Sequence, residues 1–254
     1  MYYDFEDGQI PFADTLMPNS TPTIIRVDPD GNHFLTMTVS PSDCGPSYNT
    51  SCPWNRAELF AGAGPNTDNQ IVTYSFSMRI PSFNPAANHL LVQVFQGYRI
   101  TLNYGRTFWL GTSSGGVFVQ NDVGGKKRVN LGSIQYDTWV NYKLVVYLST
   151  DANLGRIDVF KDAELMGSIT GQATEKTSQY TSDLFFNVVS FDGSPGTVDF
   201  DNAQISTGGS PYLDPDGERS GSAGAGADGG GRVFMSLNGK RRPDVDRRSL
   251  HPKF

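Results

Sequence analysis

The stretch Trp54-Asn55-Arg56-Ala57-Glu58-Leu59-Phe60 decides how the rest of the chain is interpreted. In a β-strand, successive side chains point to opposite faces, so the stretch divides into two sets. Ala57 and Leu59 lie on a face that suits a core. The opposite face carries a cation and a carboxylate between two aromatic rings: Trp54, Arg56, Glu58 and Phe60. This face predicts either a groove that binds an anionic sugar or an ordinary ion pair on a solvated sheet.

The same two-residue period recurs in many short segments of residues 1–206. Leu35, Met37 and Val39 alternate with polar neighbours, and Val72, Tyr74, Phe76, Met78 and Ile80 do the same farther along. Turn residues separate the segments, and no stretch of useful length has the helical period. The pattern predicts an all-β chain that folds as a two-sheet antiparallel β-sandwich of the jelly-roll type.

Composition bounds the organisation and the partners. A chain of 254 residues fits one all-β domain, here residues 1–206. Residues 207–254 are a Gly/Ser-rich linker and a basic tail, which we expect to be disordered. A net charge of -6 means that an acidic partner must be bound by local cations. The sequence has no nucleic-acid module, no apolar run of membrane-spanning length and no signal peptide at its start.

The chain has two cysteines, Cys44 and Cys52, on either side of a short loop. A disulfide between them would close this loop and would suit an oxidising compartment. Two free thiols are the alternative. The cysteines therefore favour a secreted protein without establishing one.

The segment Arg56-Ala57-Glu58-Leu59 and the later strand His89–Gln96 resemble the polysaccharide lyases of the alginate lyase and heparin lyase I type. The resemblance covers roughly residues 1–206. It implies a concanavalin-like β-jelly roll in which an R-x-E-L strand and a Q-x-H strand face the substrate groove, with a Tyr on a late strand, here Leu184–Phe191. It also implies a secreted enzyme that acts on an acidic polysaccharide, and we expect a monomer.

The resemblance implies β-elimination on a uronic acid. This reaction needs neutralisation of the sugar carboxylate, a base for the C5 proton and an acid for the leaving oxygen. Arg56 suits the first task because its planar fork matches a carboxylate. Glu58 would orient Arg56 or bind a sugar hydroxyl. Gln93 would donate to the same carboxylate, unless it is a polar residue satisfied inside the sheet.

The acid and the base are not evident, because Phe95 stands where the family has its His and Ser190 stands near its Tyr. His89 is a candidate, although a histidine at the start of a strand is often structural. The other candidates are displaced tyrosines: Tyr98, Tyr104 and Tyr180. A non-catalytic carbohydrate-binding jelly roll is therefore the principal alternative, and a structural or adhesion jelly roll is the weaker one.

The remaining predicted site residues concern substrate and metal. Substrate-binding candidates are Trp54, Gln96, Lys126, Lys127, Arg128 and Tyr180. The chemistry requires no cofactor. Jelly rolls of this kind often carry a structural Ca²⁺, for which the hard oxygen ligands would be Glu6, Asp199 and Asp201. Two cysteines and three scattered histidines exclude a zinc site.

Overall fold

The computed structural model describes residues 2–3, 5–8, 24–40, 56–62, 70–96, 105–177, 179 and 181–208. These residues belong to the first of two units into which the chain divides, Met1–Leu213. The second unit, Asp214–Phe254, lies outside the described residues, so the predicted boundary at 206 and the predicted tail stay predictions. Cys44 and Cys52 also lie outside them, and the disulfide stays a prediction.

The described residues form fourteen β-strands in two sheets, and every pairing between these strands is antiparallel. The eight-stranded sheet comprises β1 (Tyr2–Tyr3), β2 (Ile24–Val27), β3 (His33–Val39), β5 (Ile71–Arg79), β10 (Val140–Tyr147), β11 (Arg156–Lys161), β12 (Glu164–Thr170) and β14 (Gly196–Thr207). The six-stranded sheet comprises β4 (Arg56–Gly62), β6 (His89–Gln96), β7 (Gly105–Ser113), β8 (Gly116–Asn121), β9 (Arg128–Ser133) and β13 (Ser182–Ser190). The predicted all-β, two-sheet architecture is confirmed.

Strand order determines which side chains can meet. The larger sheet runs β12-β11-β10-β5-β14-β3-β2, with β1 paired to β14, and the smaller runs β4-β13-β6-β7-β8-β9. Strands far apart in sequence are therefore neighbours, as β4, β13 and β6 show. No helix in this described part of the chain is long and apolar enough to cross a membrane.

The core lies between the two sheets and follows the predicted alternation. Leu35, Met37 and Val39 are fully buried, as are Val72 and Tyr74. Aromatic contacts join the sheets, since the rings of Phe186 on β13 and Phe200 on β14 stack with centroids 4.4 Å apart. On β4, Ala57 and Leu59 are buried in this core, which confirms the face assigned to them.

The alternation of apolar residues does not predict β12. β12 is an edge strand whose residues are mostly exposed or half-buried, so it has no apolar alternation to detect. A turn at Asp162 and Ala163, both with positive φ, reverses the chain from β11 into β12. The strand exists because its backbone pairs with β11, not because its side chains fill a core.

Candidate functional site

A row of polar side chains crosses the outer face of the six-stranded sheet, the face turned away from the core. The backbone registers place Glu58 opposite Asn187 and Gln93 opposite Trp109. Gln120 lies opposite Trp109 on one side and Arg128 on the other. We call this the outer-face row, and it consists of Glu58, Asn187, Gln93, Trp109, Gln120 and Arg128, which come from all six strands.

At one end, Glu58, Asn187 and Gln93 form a hydrogen-bonded cluster. The amide Nε2 of Gln93 donates to Glu58 Oε1 at 2.6 Å and, more weakly, to Asn187 Oδ1 at 3.4 Å. The three side chains are 5%, 0% and 8% exposed, in the order Glu58, Asn187 and Gln93. A carboxamide nitrogen has two hydrogens, so the weak bond to Asn187 occupies the hydrogen that Glu58 does not use. The structure thus brings together two of the predicted catalytic residues.

Arg56 is the first residue of β4, and its backbone lies opposite Val189 of β13. Its side chain is outside the described set, and so are all atoms of Trp54. Their predicted roles in binding the sugar carboxylate and the sugar ring therefore stay predictions. Tyr98, Tyr104 and Tyr180 are outside the described residues as well.

The middle of the row is built around Asp122, which the sequence analysis did not single out. Its carboxylate accepts hydrogen bonds from Arg106 Nε at 2.7 Å, Trp109 Nε1 at 3.2 Å and Gln120 Nε2 at 2.7 Å. Burial alone would raise the pKa of Asp122, but the bond from Gln120 and the charge of Arg106 outweigh it and lower the pKa. In the sequence, Gln120 and Asp122 are two residues apart and would point to the same face of a strand. This spacing alone does not indicate a site.

The other end of the row is Arg128 on β9. Its Nη2 donates to Gln120 Oε1 at 3.0 Å, and its guanidinium lies 3.7 Å from the centroid of the Phe118 ring. Lys127 instead donates to the carbonyl oxygen of Thr170, the last residue of β12 in the other sheet. Lys126 is exposed in the turn before β9. Of the three predicted basic residues, Arg128 alone belongs to the outer-face row.

Gln96 has a different role from the predicted substrate contact. It is fully buried, and its side chain holds the segment that follows β12. Its Nε2 donates to the carbonyl oxygen of Thr177 at 2.8 Å, while its Oε1 accepts from the backbone nitrogen of Lys176 at 2.7 Å. Both ends of the carboxamide are therefore used to attach this segment to the end of β6.

His89 is also held by protein partners. It is fully buried at the start of β6, where Nδ1 accepts from the backbone nitrogen of Asn88 at 3.2 Å. Nε2 lies 3.2 Å from the carbonyl oxygen of Ser194, to which it must donate. Burial lowers the pKa of His89 despite the opposing effect of that carbonyl and of Asp192. This is the geometry of a neutral structural histidine, and it contradicts a catalytic role for His89.

The positions of the family's His and Tyr contain no proton-transfer group. Phe95 packs edge-on against Phe185, with ring centroids 6.4 Å apart. Ser190 is buried, and its hydroxyl donates to Asp192 Oδ1 at 3.1 Å. Across the described ranges, no His or Tyr contributes to the outer-face row. A lyase reaction at this row would need an acid and a base from outside these positions.

The three predicted calcium ligands do not fit a common site. Glu6 contacts the ring of His33, with Oε2 3.3 Å from Nδ1. Asp199 accepts from Arg79 Nε at 2.9 Å, and burial raises its pKa against the opposing bonds from Thr36 and Arg79. Among the residues that the structure describes, no group of three or more His, Cys, Asp or Glu could hold a metal ion. The predicted ligand set is therefore not gathered.

Comparison of the sequence with protein-family models and with curated proteins gave no match. Solved structures do match. The endo-β-1,4-glucuronan lyase from the fungus Trichoderma reesei has a TM-score of 0.59 at 12% identity, over 81% of this chain and 94% of that one. Cellulose induced protein Cip1 has a TM-score of 0.55 at 12% identity, over 81% and 96%. A family 7 alginate lyase in complex with substrate has 0.54 at 13%, over 76% and 84%.

These similarities show the fold. The chain has the β-sandwich of the glucuronan and alginate lyases, which agrees with the resemblance found in the sequence. At 12–13% identity, a similar fold does not show that this chain catalyses the same reaction.

Proposed function

We propose that this protein is a polysaccharide lyase that cleaves a uronate-containing polysaccharide by β-elimination on the outer face of the six-stranded sheet. The observation that carries the proposal is the cluster of Glu58, Asn187 and Gln93. Buried polar groups on the outside of a sheet, held in fixed orientations, suit a ligand groove better than a solvated surface. Two solved structures with this fold are lyases named for glucuronan and alginate, which supports the same class of substrate.

In the proposed reaction, Arg56 neutralises the uronate carboxylate and thereby acidifies the C5 proton. Gln93 exchanges its weak bond to Asn187 for one to the same carboxylate, while Glu58 holds the amide through the shorter bond and accepts from Arg56 or a sugar hydroxyl. A base takes the C5 proton, the C4–O bond breaks, and the electron pair forms a C4=C5 double bond. The leaving oxygen receives a proton, so hydrolytic water is not consumed. Neutralising the developing charge at the carboxylate is the main contribution of Arg56 and Gln93.

The base and the acid are proposed to be one tyrosine: Tyr98, Tyr104 or Tyr180. In sequence, these residues flank Gln96, Gly105 and Ser182, and the backbone of Gln96 pairs with both Gly105 and Ser182. Three strand ends therefore meet at one end of the sheet, each with a tyrosine within two residues in sequence. A deprotonated phenol can take the C5 proton and return it to the leaving oxygen.

A second candidate function is a carbohydrate-binding module that uses the same row without turnover. The observation in its favour is the replacement of the family's His and Tyr by Phe95 and Ser190. In either case we propose a secreted, monomeric protein whose partner is an acidic polysaccharide, with neither nucleic acid nor membrane as a partner. No cofactor takes part in the proposed chemistry.

The test is the ultraviolet absorbance of the new C4=C5 double bond during incubation with alginate, glucuronan, hyaluronan and heparin-type chains. Arg56→Ala should lower the rate by about 10²–10³-fold, the usual cost of removing one group that stabilises developing charge. Arg156→Ala is the matched control, because Arg156 lies on β11 of the other sheet. A flat trace with the wild-type protein on every polymer, together with retained binding in affinity electrophoresis, would exclude the lyase and leave the binding module.

A further inference from the structure

A cavity of about 370 Å³ lies at the edge of the six-stranded sheet. Its wall is formed by the β7–β8 turn, Ser113–Gly116, and by the outer faces of β8 and β9 with Phe118, Arg128 and Asn130. Three strand spacings separate β6, which carries Gln93, from β9, a distance of about 14 Å. The cavity is therefore distinct from the cluster of Glu58, Asn187 and Gln93.

The cation of this cavity, Arg128, has no counterion among the residues that the structure describes. Arg79, Arg106 and Arg156 each form an ion pair with an aspartate. In the part of the chain that the structure describes, Arg128 forms none, and no Asp or Glu lines the cavity. Its guanidinium is nevertheless oriented, by the bond to Gln120 and by the Phe118 ring. An oriented arginine without an internal carboxylate is prepared to bind an external one.

The rest of the wall suits a sugar. Ser113, Ser114 and Ser133 offer hydroxyl groups and Asn130 offers an amide, the donors and acceptors that sugar hydroxyls need. Gly115 has positive φ, and no heavy atom lies within 4 Å of the position that a Cβ would occupy there. The glycine thus permits the turn and leaves the wall open, where a larger residue would be strained.

We infer that the Arg128 cavity is a distal subsite that binds the carboxylate of a second uronate residue of the same polysaccharide. The inference rests on the proposed function and extends it, because it makes binding depend on chain length. A polymer that lies along the outer-face row reaches Gln93 and Arg128 together. A short oligosaccharide bound at Gln93 does not reach β9. Arg128 therefore contributes to the affinity for long chains and not to the bond-breaking step.

The experiment compares wild type, Arg128→Gln and Arg26→Gln on two kinds of substrate. One is the polymer that the absorbance panel identifies, and the other is its di- to octasaccharides that have no unsaturated end. Arg26 is a matched control because it is an exposed arginine on β2, in the other sheet, and does not line the cavity. Arg128→Gln should lower kcat/KM on the polymer by about 10- to 100-fold, the range for a hydrogen bond to a charged group. The loss should be in KM, should disappear for the shortest substrates and should be partly restored in Arg128→Lys.

Two results overturn the inference: the same loss on short and long substrates, or a loss no larger than that of Arg26→Gln. Equal melting temperatures of the variants exclude a folding defect as the cause. If the wild type binds polyuronides without cleaving them, the lyase proposal fails, and the subsite is tested by calorimetric titration with the same length series. If the wild type neither cleaves nor binds any polyuronide, both proposals fail.

Discussion

Arg79 and Arg128 stack on aromatic rings on the outer faces of the eight-stranded and the six-stranded sheet, and they differ in their counterions. Arg79 in the eight-stranded sheet lies 4.6 Å from the Phe34 ring centroid and 4.7 Å from that of Trp139. It is also paired with Asp199 at 2.9 Å and with Asp28 at 3.2 Å. Arg128 in the six-stranded sheet has one ring and an amide oxygen. An arginine satisfied by internal carboxylates stabilises the fold, whereas one held only by neutral groups can bind a ligand.

The largest expected effect is on stability and comes from Arg79→Gln. Asp199 is 3% exposed, and burial already raises its pKa against the opposing effect of Thr36 and Arg79. Removing the cation leaves a buried carboxylate without its charged partner, which costs about 3 kcal/mol or more. Urea unfolding should show this loss for Arg79→Gln and less than about 1 kcal/mol for Arg128→Gln. Similar losses for the two variants would remove the distinction between the two arginines.

The second-largest expected effect comes from Gln93→Leu, at the end of the outer-face row that holds Glu58 and Asn187. Gln93→Leu removes the amide that donates to the buried Glu58 at 2.6 Å, so the free energy of unfolding should fall by about 1–3 kcal/mol. Turnover should fall in addition, below the level explained by the lost stability. Gln120→Leu is the comparison, because Gln120 contacts Asp122 and Arg128 and not Glu58. An unchanged rate in Gln93→Leu would mean that the cluster is structural.

A third variant gives Arg128 an internal carboxylate as counterion, as Arg79 already has. On β11, Arg156 pairs with Asp158 two residues along the strand at 2.8 Å. Asn130 has the same position relative to Arg128, so Asn130→Asp should supply an internal carboxylate. We expect kcat/KM on long chains to fall by about tenfold, with a gain in stability of at most about 1 kcal/mol. Unchanged length dependence in Asn130→Asp would argue against a carboxylate-binding subsite at Arg128.

The smallest effect is a pH dependence from His89. Because burial lowers its pKa below 6.5, the folded protein binds fewer protons than the unfolded chain just below this pH. The contribution of His89 to stability is therefore complete above pH 6.5 and is lost as the pH falls through the folded pKa. Melting temperatures between pH 7.5 and 5.5 should decline for the wild type and decline less for His89→Gln. Parallel slopes would mean that His89 is not held neutral.

The fold could be predicted from the sequence because the buried residues of a strand recur at every second position. Leu35, Met37 and Val39 could be assigned to the core from alternation alone, and they are fully buried. The edge strand β12 could not, since backbone pairing holds it and its side chains are mostly solvated. Long-range pairing also decided the site. The sequence near Asp122 does not indicate that Arg106 and Trp109 would donate to it, and the sequence near Gln96 does not indicate that it would bind a segment eighty residues away.

His89 illustrates a different limit of the same reasoning. Its residue type suits proton transfer, but the partners that occupy its two nitrogens come from a neighbouring backbone nitrogen and from a loop more than a hundred residues later. The residue type determines which reactions a side chain can take part in. The fold determines whether its polar atoms are already bonded within the protein or can contact a substrate.

The direction of the outer-face row has a consequence for how such a protein can evolve. The row runs across the strands, so the distance between its two ends is a whole number of strand spacings, each fixed by backbone hydrogen bonds. Point substitutions can alter what each end recognises but cannot move the ends closer together or farther apart. A descendant that needs a different span has to gain or lose an entire strand, which makes substrate identity easy to change and substrate reach difficult to change.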